Sequence, residues 1–130
     1  MNMPALQEWT IRAALCIVSL IHLLPLVGVS GRIALEKAYG IPVNSPDLQL
    51  LLQHRAVLFG LLGVACAIAA FNPPWRPAVW CAALISTCSF ILLAWLAPTY
   101  NAALARVVSF DIVAIAMLFL AGAVYVFRPN

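Results

Sequence analysis

A carboxylate within a long apolar stretch limits what this chain can fold into. Asp111 interrupts the segment VVSFDIVAIAMLFLAGAVYVF, which is otherwise long and apolar enough to cross a bilayer. A charge at membrane depth is costly unless it is paired or reaches water, so such residues commonly mark functional sites. The sequence therefore predicts a polar site around Asp111.

The overall composition excludes an ordinary soluble domain. The chain has 130 residues, of which 65% are hydrophobic and 8% charged. Soluble domains carry about 45–50% apolar and about 25% charged residues, so the solvent of this fold must be lipid. A scattered net charge of +3 gives no basic patch for nucleic acid. The four cysteines lie in apolar runs without CxxC spacing, which favours roles as small apolar side chains.

Four apolar segments, each near the roughly 20 residues needed to span a bilayer, predict four membrane helices. They cover residues 10–29, 48–71, 78–96 and 107–127. The connection after the first segment contains RIALEKAYG, which predicts a short interfacial helix ended by Gly40. Ser45 or Asp47 is expected to cap the next helix. We expect an all-α single domain over residues 1–130, an integral membrane four-helix up-down bundle with this interfacial helix between helices one and two.

Small residues are expected to let neighbouring helices approach closely. On the second span they form a stripe of Ala56, Gly60, Gly63, Ala67 and Ala70. On the third span a comparable ridge consists of Ala78, Ala82 and Ser86.

The polar residues of the predicted spans gather towards one end of the bundle. An up-down arrangement places both termini and the turn at residues 71–77 at one end, end A, and the other two connections at the opposite end, end B. With a rise of about 1.5 Å per residue, Asp111 lies about 7 Å and His22 about 11 Å inside the end-B limits of their helices. The other polar residues in this half or its connections are His54, Arg55, Ser86, Ser89, Tyr100, Asn101 and Arg106. The sequence therefore predicts a pocket at end B.

Helix geometry selects a partner for Asp111. Arg106 lies five residues earlier, about 140° around the helix, so the two side chains do not face each other. Arg55 on the neighbouring helix is expected to form a structural ion pair with Asp111. Pro25 leaves the carbonyl of Ile21 without its helical donor, which is expected to widen the bundle at this level.

Other charges and the tryptophans are expected at the membrane surfaces. Trp9, Trp75, Trp80 and Trp95 fall near span ends and predict an interfacial belt. The predicted interfacial charges are Arg32, Lys37, Arg76 and Arg128. With Arg12 counted as well, and with Arg55 and Arg106 set aside as buried, end A has three basic residues and end B has two, which favours cytoplasmic termini.

Several segments resemble a family of small bacterial four-helix membrane proteins within the broader DoxX-like group. The resemblance covers most of the chain and is carried by LIHLLPLVGVSG, LEKAYGIP, LLQHRAVLFGLLG and YNAALARVVSFDIVAIA. The matching residues are His22, Pro25, Tyr39, Gly40, His54, Arg55, Asn101, Arg106 and Asp111. The resemblance implies a multi-pass protein of the bacterial inner membrane. DoxX is associated with quinone-linked sulfur oxidation, but only the helical hairpin plan is shared, so little is implied about chemistry.

Relatives in this group are sometimes labelled phosphopantetheine adenylyltransferase, and that label does not fit this chain. The enzyme of that name is a soluble nucleotide-binding protein with an H-x-G-H phosphate motif. The nearest match here is His22-Leu23-Leu24-Pro25, inside a predicted membrane span.

The preferred hypothesis is a binding protein with a pocket for a small amphipathic or anionic ligand, such as a lipid, a quinone or a carboxylate. Arg55 and Arg106 would contact an anion, Asp111 would hold Arg55, and His22 and Asn101 would form neutral hydrogen bonds. The candidate ligand-binding residues are His22, Tyr39, His54, Arg55, Ser89, Asn101, Arg106 and Asp111.

Two alternatives stay open. A redox protein could hold a b-type haem between His22 and His54, which are expected at similar depth on adjacent helices, or it could be quinone-linked, as the DoxX-like resemblance implies. A non-catalytic accessory subunit could use the polar cluster only to fix the bundle or to dock a partner. A nucleophile–base pair, a phosphate loop and a metal motif are all lacking in the sequence, which favours a protein that is not an enzyme. A homo-oligomer or a larger membrane complex is compatible with either alternative.

Overall fold

The computed structural model describes residues 3–127, and within that range the chain is 89% helical, with five helices and no strand. Four of the helices are long and apolar enough to cross a membrane, which suggests a membrane protein. The helices are α1 (Met3–Leu23), α2 (Arg32–Tyr39), α3 (Pro46–Phe71), α4 (Arg76–Leu96) and α5 (Ala102–Val126). Two 3-10 segments, Leu24–Ser30 and Pro73–Trp75, follow α1 and precede α4.

The connection between α1 and α3 follows the sequence signals. The α-helical part of α1 ends two residues before Pro25, which has no N–H to continue it, and the chain proceeds as the 3-10 segment. Helix α2 ends at Gly40, whose positive φ of 62° suits glycine. Ser45 caps α3, because its hydroxyl oxygen accepts a hydrogen bond from the N–H of Leu48 at 3.1 Å. The predictions of the short helix, its end and the Ser45 cap are confirmed.

Helix α5 begins five residues before the predicted limit at residue 107. Asn101 is its cap: the side-chain oxygen accepts a hydrogen bond from the N–H of Leu104 at 2.9 Å. Arg106 therefore lies inside α5, whereas the sequence placed it in the connection that precedes this helix.

Two groups of buried side chains hold the fold together. The larger lies between the four long helices and consists of Ile11, Leu15, Val18, Cys66, Ala69, Ala70, Val79, Ala83, Ala114 and Leu118. The smaller, Leu35, Tyr39 and Val43, packs with Leu104 on α5 and Leu48 and Leu52 on α3. This second group fixes α2 against α3 and α5.

The small-residue stripe on α3 packs against α1 and the 3-10 segment that follows it. Four of its five members are buried, and Ala67 is partly buried. A Cβ on Gly63 would lie 2.8 Å from Leu23 Cγ and 3.1 Å from the carbonyl oxygen of Ser19. The hydroxyl of Ser19 donates to the Gly63 carbonyl at 2.8 Å, so the two backbones meet here.

The ridge predicted on the third span has the wrong phase. Helix α4 buries Val79, Ala83 and Thr87, whereas Ala78 and Ala82 are exposed. Each buried position is one residue later than the predicted one.

Replacing Gly63 by alanine is expected to cost about 1 to 3 kcal/mol, since overpacking against a backbone oxygen has no easy relief. Gly60 is the matched control on the same helix. Its added Cβ would meet only the end of the Leu26 side chain, which is partly exposed and free to turn aside. Equilibrium unfolding in detergent measures both variants, and equal losses at the two sites would contradict the close backbone approach.

Candidate functional site

A cavity of about 350 Å³ lies where the end of α1, the 3-10 segment, α2, α3 and the start of α5 meet. Its walls combine many apolar side chains with a few polar ones. The lining residues are Ile21, His22, Leu24, Pro25, Lys37, Ala38, Tyr39, Arg55, Phe59, Ala103, Arg106, Val107, Phe110 and Asp111. The structure thus brings together five of the predicted ligand-binding residues: His22, Tyr39, Arg55, Arg106 and Asp111.

His22 is fixed in one orientation at the cavity wall. The ring is 1% exposed and stacks on Phe59, with centroids 5.7 Å apart. Its Nδ1 lies 2.9 Å from the carbonyl oxygen of Val18, which accepts only, so Nδ1 carries the proton of the neutral ring. The other nitrogen, Nε2, is then an acceptor, and it is buried without a hydrogen-bond partner among residues 3–127.

Asp111 lies on α5 at the same cavity and is 4% exposed. Within the described part of the chain it forms no hydrogen bond and no ion pair. Buried carboxylates normally have such partners. The cavity therefore has two buried polar groups, His22 and Asp111, with unused capacity to accept hydrogen bonds.

The predicted Arg55–Asp111 ion pair is not closed to within 4.0 Å, although the charge of Arg55 acts on Asp111. The Arg55 guanidinium lies over three aromatic rings, with its central carbon 5.4 Å from the centroid of Tyr39, 5.0 Å from Phe59 and 5.1 Å from Phe90. The faces of these rings attract a cation, so they compete with the carboxylate for the side chain. Arg55 still lines the cavity, and it also borders a neighbouring space of about 360 Å³ between α3 and α4.

Two further cations lie at the cavity on the surface of the fold. Arg106 and Lys37 are both exposed lining residues. The sequence indicated Lys37 only as an interfacial charge. It lines the cavity because α2 packs beside it. The lining thus has three basic side chains, Lys37, Arg55 and Arg106, and one acidic side chain, Asp111, which gives it an excess of positive charge.

The other predicted site residues lie elsewhere. His54 is exposed on α3 and is not a lining residue, so the two histidines do not share the cavity and the residues present do not fit a bis-histidine haem. Asn101 uses its amide nitrogen to donate to the carbonyls of Tyr39 at 2.9 Å and Gly40 at 3.1 Å. Ser89 donates to the Ser86 carbonyl and borders the α3–α4 space.

The buried ion pair of this fold lies at the other end of the helices, where the sequence had indicated an ordinary surface charge. Arg76 is 4% exposed and donates to both oxygens of Glu8, with Nη1–Oε2 at 3.0 Å and Nη2–Oε1 at 2.6 Å. It also donates to the carbonyls of Ala69 at 3.1 Å and Ala70 at 3.0 Å, in the last turn of α3. Arg76 is therefore a buried and paired side chain, not an ordinary surface charge. Arg128 lies outside the described residues.

A cleft of about 260 Å³ beside Arg76 is less suited to a polar ligand. Its other lining residues are Ile11, Leu15, Pro77, Trp80, Cys81, Ala121, Gly122, Tyr125 and Val126. Arg76 is already occupied by Glu8 and the two carbonyls. Trp80, expected in a surface belt, instead donates its indole N–H to the Leu118 carbonyl at 2.8 Å. The cavity around His22 is therefore the candidate site.

Comparison with known proteins found no matching family model, no matching curated protein and no matching solved structure. The resemblance to DoxX-like proteins stays a prediction, and the functional argument rests on the geometry of the cavity.

Proposed function

We propose that the chain is an integral membrane protein, a four-helix up-down bundle whose end-B cavity binds a small amphipathic or anionic ligand. Four helices of sufficient length and apolarity support membrane insertion. Arg76, at the start of α4, meets both Glu8 near the start of α1 and the carbonyl of Ala69 near the end of α3. This supports an up-down order, in which α1 and α4 begin at the end where α3 finishes.

The observation that carries the proposal is that two buried groups at one cavity, His22 Nε2 and the Asp111 carboxylate, accept no hydrogen bond from the described residues. Leaving a buried polar group without a hydrogen bond costs about 1 to 3 kcal/mol. Both groups line one cavity, so a single ligand that donates hydrogen bonds would satisfy both. Other polar side chains, such as Asn101 and Arg76, have their hydrogen-bond partners within the fold and need no such ligand.

The walls of the cavity also suit an amphipathic molecule. Ligand sites are typically apolar with a few convergent polar groups. Here Leu24 is 54% and Phe110 is 47% exposed, although both line a cavity that contains buried polar side chains. An apolar tail would contact these residues while a polar head reaches His22.

The test of this function is ligand retention in the Arg55→Gln variant. Loss of a charged hydrogen-bond donor is worth about 1.5 to 3 kcal/mol, so we expect retention of the co-purifying amphiphile to fall by about tenfold or more. Native mass spectrometry of protein purified in a mild detergent measures the bound fraction. His54→Gln is the matched control, since it removes a neighbouring polar side chain outside the cavity.

Equal retention in the wild type and in a folded Arg55→Gln variant would contradict the proposal. A melting curve for each variant separates lost binding from lost folding. If Arg55→Gln does not fold, Arg106→Gln provides the same test from an exposed position on the cavity wall.

A further inference from the structure

The polar groups of the cavity are sorted by depth. The buried ones, His22 and Asp111, are 1% and 4% exposed, whereas the cations Lys37 and Arg106 are exposed on α2 and α5. Arg55 is intermediate in exposure. A ligand that satisfies the whole site therefore meets acceptors inside and positive charge at the mouth.

The buried part of the site requires a ligand that donates. His22 Nε2 accepts, because Nδ1 is committed as a donor to the Val18 carbonyl. The Asp111 carboxylate accepts as well. A carbonyl, an ether or a bare phosphate oxygen has no proton to offer to these atoms, so the inner part of the ligand must carry hydroxyl or N–H groups.

The mouth of the site requires an anion. Lys37 and Arg106 both line the cavity from exposed positions, and charge-assisted bonds from such side chains to phosphate oxygens are strong. An ammonium group at the tip would also donate to Asp111, but it would share the cavity with the Arg55 guanidinium. Hydroxyl groups donate without adding positive charge to a lining that already has three cations.

From this sorting we infer that the cavity takes an anionic phosphodiester headgroup that ends in hydroxyl groups, the chemistry of phosphoglycerol. The phosphate faces Lys37 and Arg106, and the terminal hydroxyls face His22 and Asp111. The inference rests on the proposed function, because it names the class of ligand for the same cavity. The exposed apolar residues at the wall, Leu24 and Phe110, provide the contact for acyl chains, so the source of the headgroup is a membrane lipid.

The experiment compares ligands that differ in one feature each. Full-length protein in detergent is titrated with phosphatidylglycerol, phosphatidylethanol and phosphatidylethanolamine of identical acyl chains, and with soluble glycerol 3-phosphate, and binding is followed by native mass spectrometry. Phosphatidylethanol has the same charge as phosphatidylglycerol and no hydroxyl. Two hydrogen bonds of about 1 kcal/mol each predict binding of phosphatidylglycerol that is about tenfold or more tighter.

The variants assign each end of the ligand to its residues. His22→Phe keeps an aromatic ring against Phe59 but removes the acceptor, so the preference for phosphatidylglycerol over phosphatidylethanol should fall severalfold. Lys37→Gln and Arg106→Gln should weaken both lipids equally, and His54→Gln should change neither. The comparison of lipids on the unaltered protein stands even if His22→Phe does not fold.

Four outcomes would overturn the inference. Equal binding of phosphatidylglycerol and phosphatidylethanol that still depends on Arg55 removes the hydroxyl requirement and leaves the proposed function intact. Tighter binding of phosphatidylethanolamine assigns an ammonium to the inner site. If glycerol 3-phosphate binds as tightly as the lipid, the headgroup comes from a soluble molecule and not from a membrane lipid. Binding of these ligands that is indifferent to Arg55 overturns both the inference and the proposed function.

Discussion

Replacing Arg76 by methionine is expected to lower the free energy of unfolding by about 3 kcal/mol, because a buried guanidinium loses four hydrogen bonds while Glu8 keeps its bond to Arg12. The guanidinium contacts both oxygens of Glu8 and two carbonyls in the last turn of α3. Methionine fills much of the same volume but donates nothing, so the carbonyls of Ala69 and Ala70 lose this donor.

The matched control for Arg76 is Arg12, which also pairs with Glu8. Its Nε lies 2.9 Å from Oε1 on the same helix, and its side chain is 33% exposed. Such pairs contribute about 1 kcal/mol or less, so Arg12→Met should be mild. Denaturant unfolding in mixed micelles measures both variants, and the double change Glu8→Gln, Arg76→Met should recover part of the loss. Equal effects of Arg12→Met and Arg76→Met would contradict the central role of Arg76.

The second large effect is expected at Asn101, where alanine should cost about 2 to 3 kcal/mol. The side chain caps α5 through Leu104 and donates to the carbonyls of Tyr39 and Gly40. A cap contributes about 1 kcal/mol, and each further hydrogen bond adds a similar amount. Because these bonds tie the end of α2 to the start of α5, the variant should also weaken ligand binding at the cavity between them.

Ser45→Ala is the control for Asn101→Ala, because Ser45 caps α3 with a single hydrogen bond. Its expected cost is about 1 kcal/mol or less. Unfolding curves and ligand retention are measured on both variants. If the two alanine substitutions cost the same, the bonds from Asn101 to α2 do not contribute to stability.

The helices and the location of the candidate site could be predicted from the sequence. Hydropathy and length predicted the four long helices, and glycine, proline and serine signals predicted the ends around α2. Placing polar residues by depth selected His22, Arg55, Arg106 and Asp111, which line one cavity in the structure. This worked because depth along a helix depends only on residue number.

The sequence alone could not predict the partners of those residues, because these partners depend on side-chain direction and on the packing of distant segments. Depth and helical angle placed Arg55 near Asp111, but three aromatic rings hold its guanidinium. Arg76 follows a proline-rich turn, a position in the sequence that is typical of a surface charge. In the structure its side chain contacts the end of α3 and Glu8 instead. His54 and Arg55 are adjacent in sequence, and the helix turns one outward and the other to the cavity.

The pairing of Glu8 with Arg76 has a consequence for the order in which the molecule assembles. The two residues are separated by 68 positions, so the pair forms only after the chain has been made beyond α3. Closing so long a loop costs entropy that prior contacts between α1 and α3 reduce. The Ser19–Gly63 contact joins those helices earlier in synthesis. Arg76 therefore joins a fold in which α1 and α3 can already be in contact, and it ties the start of α4 to both of them.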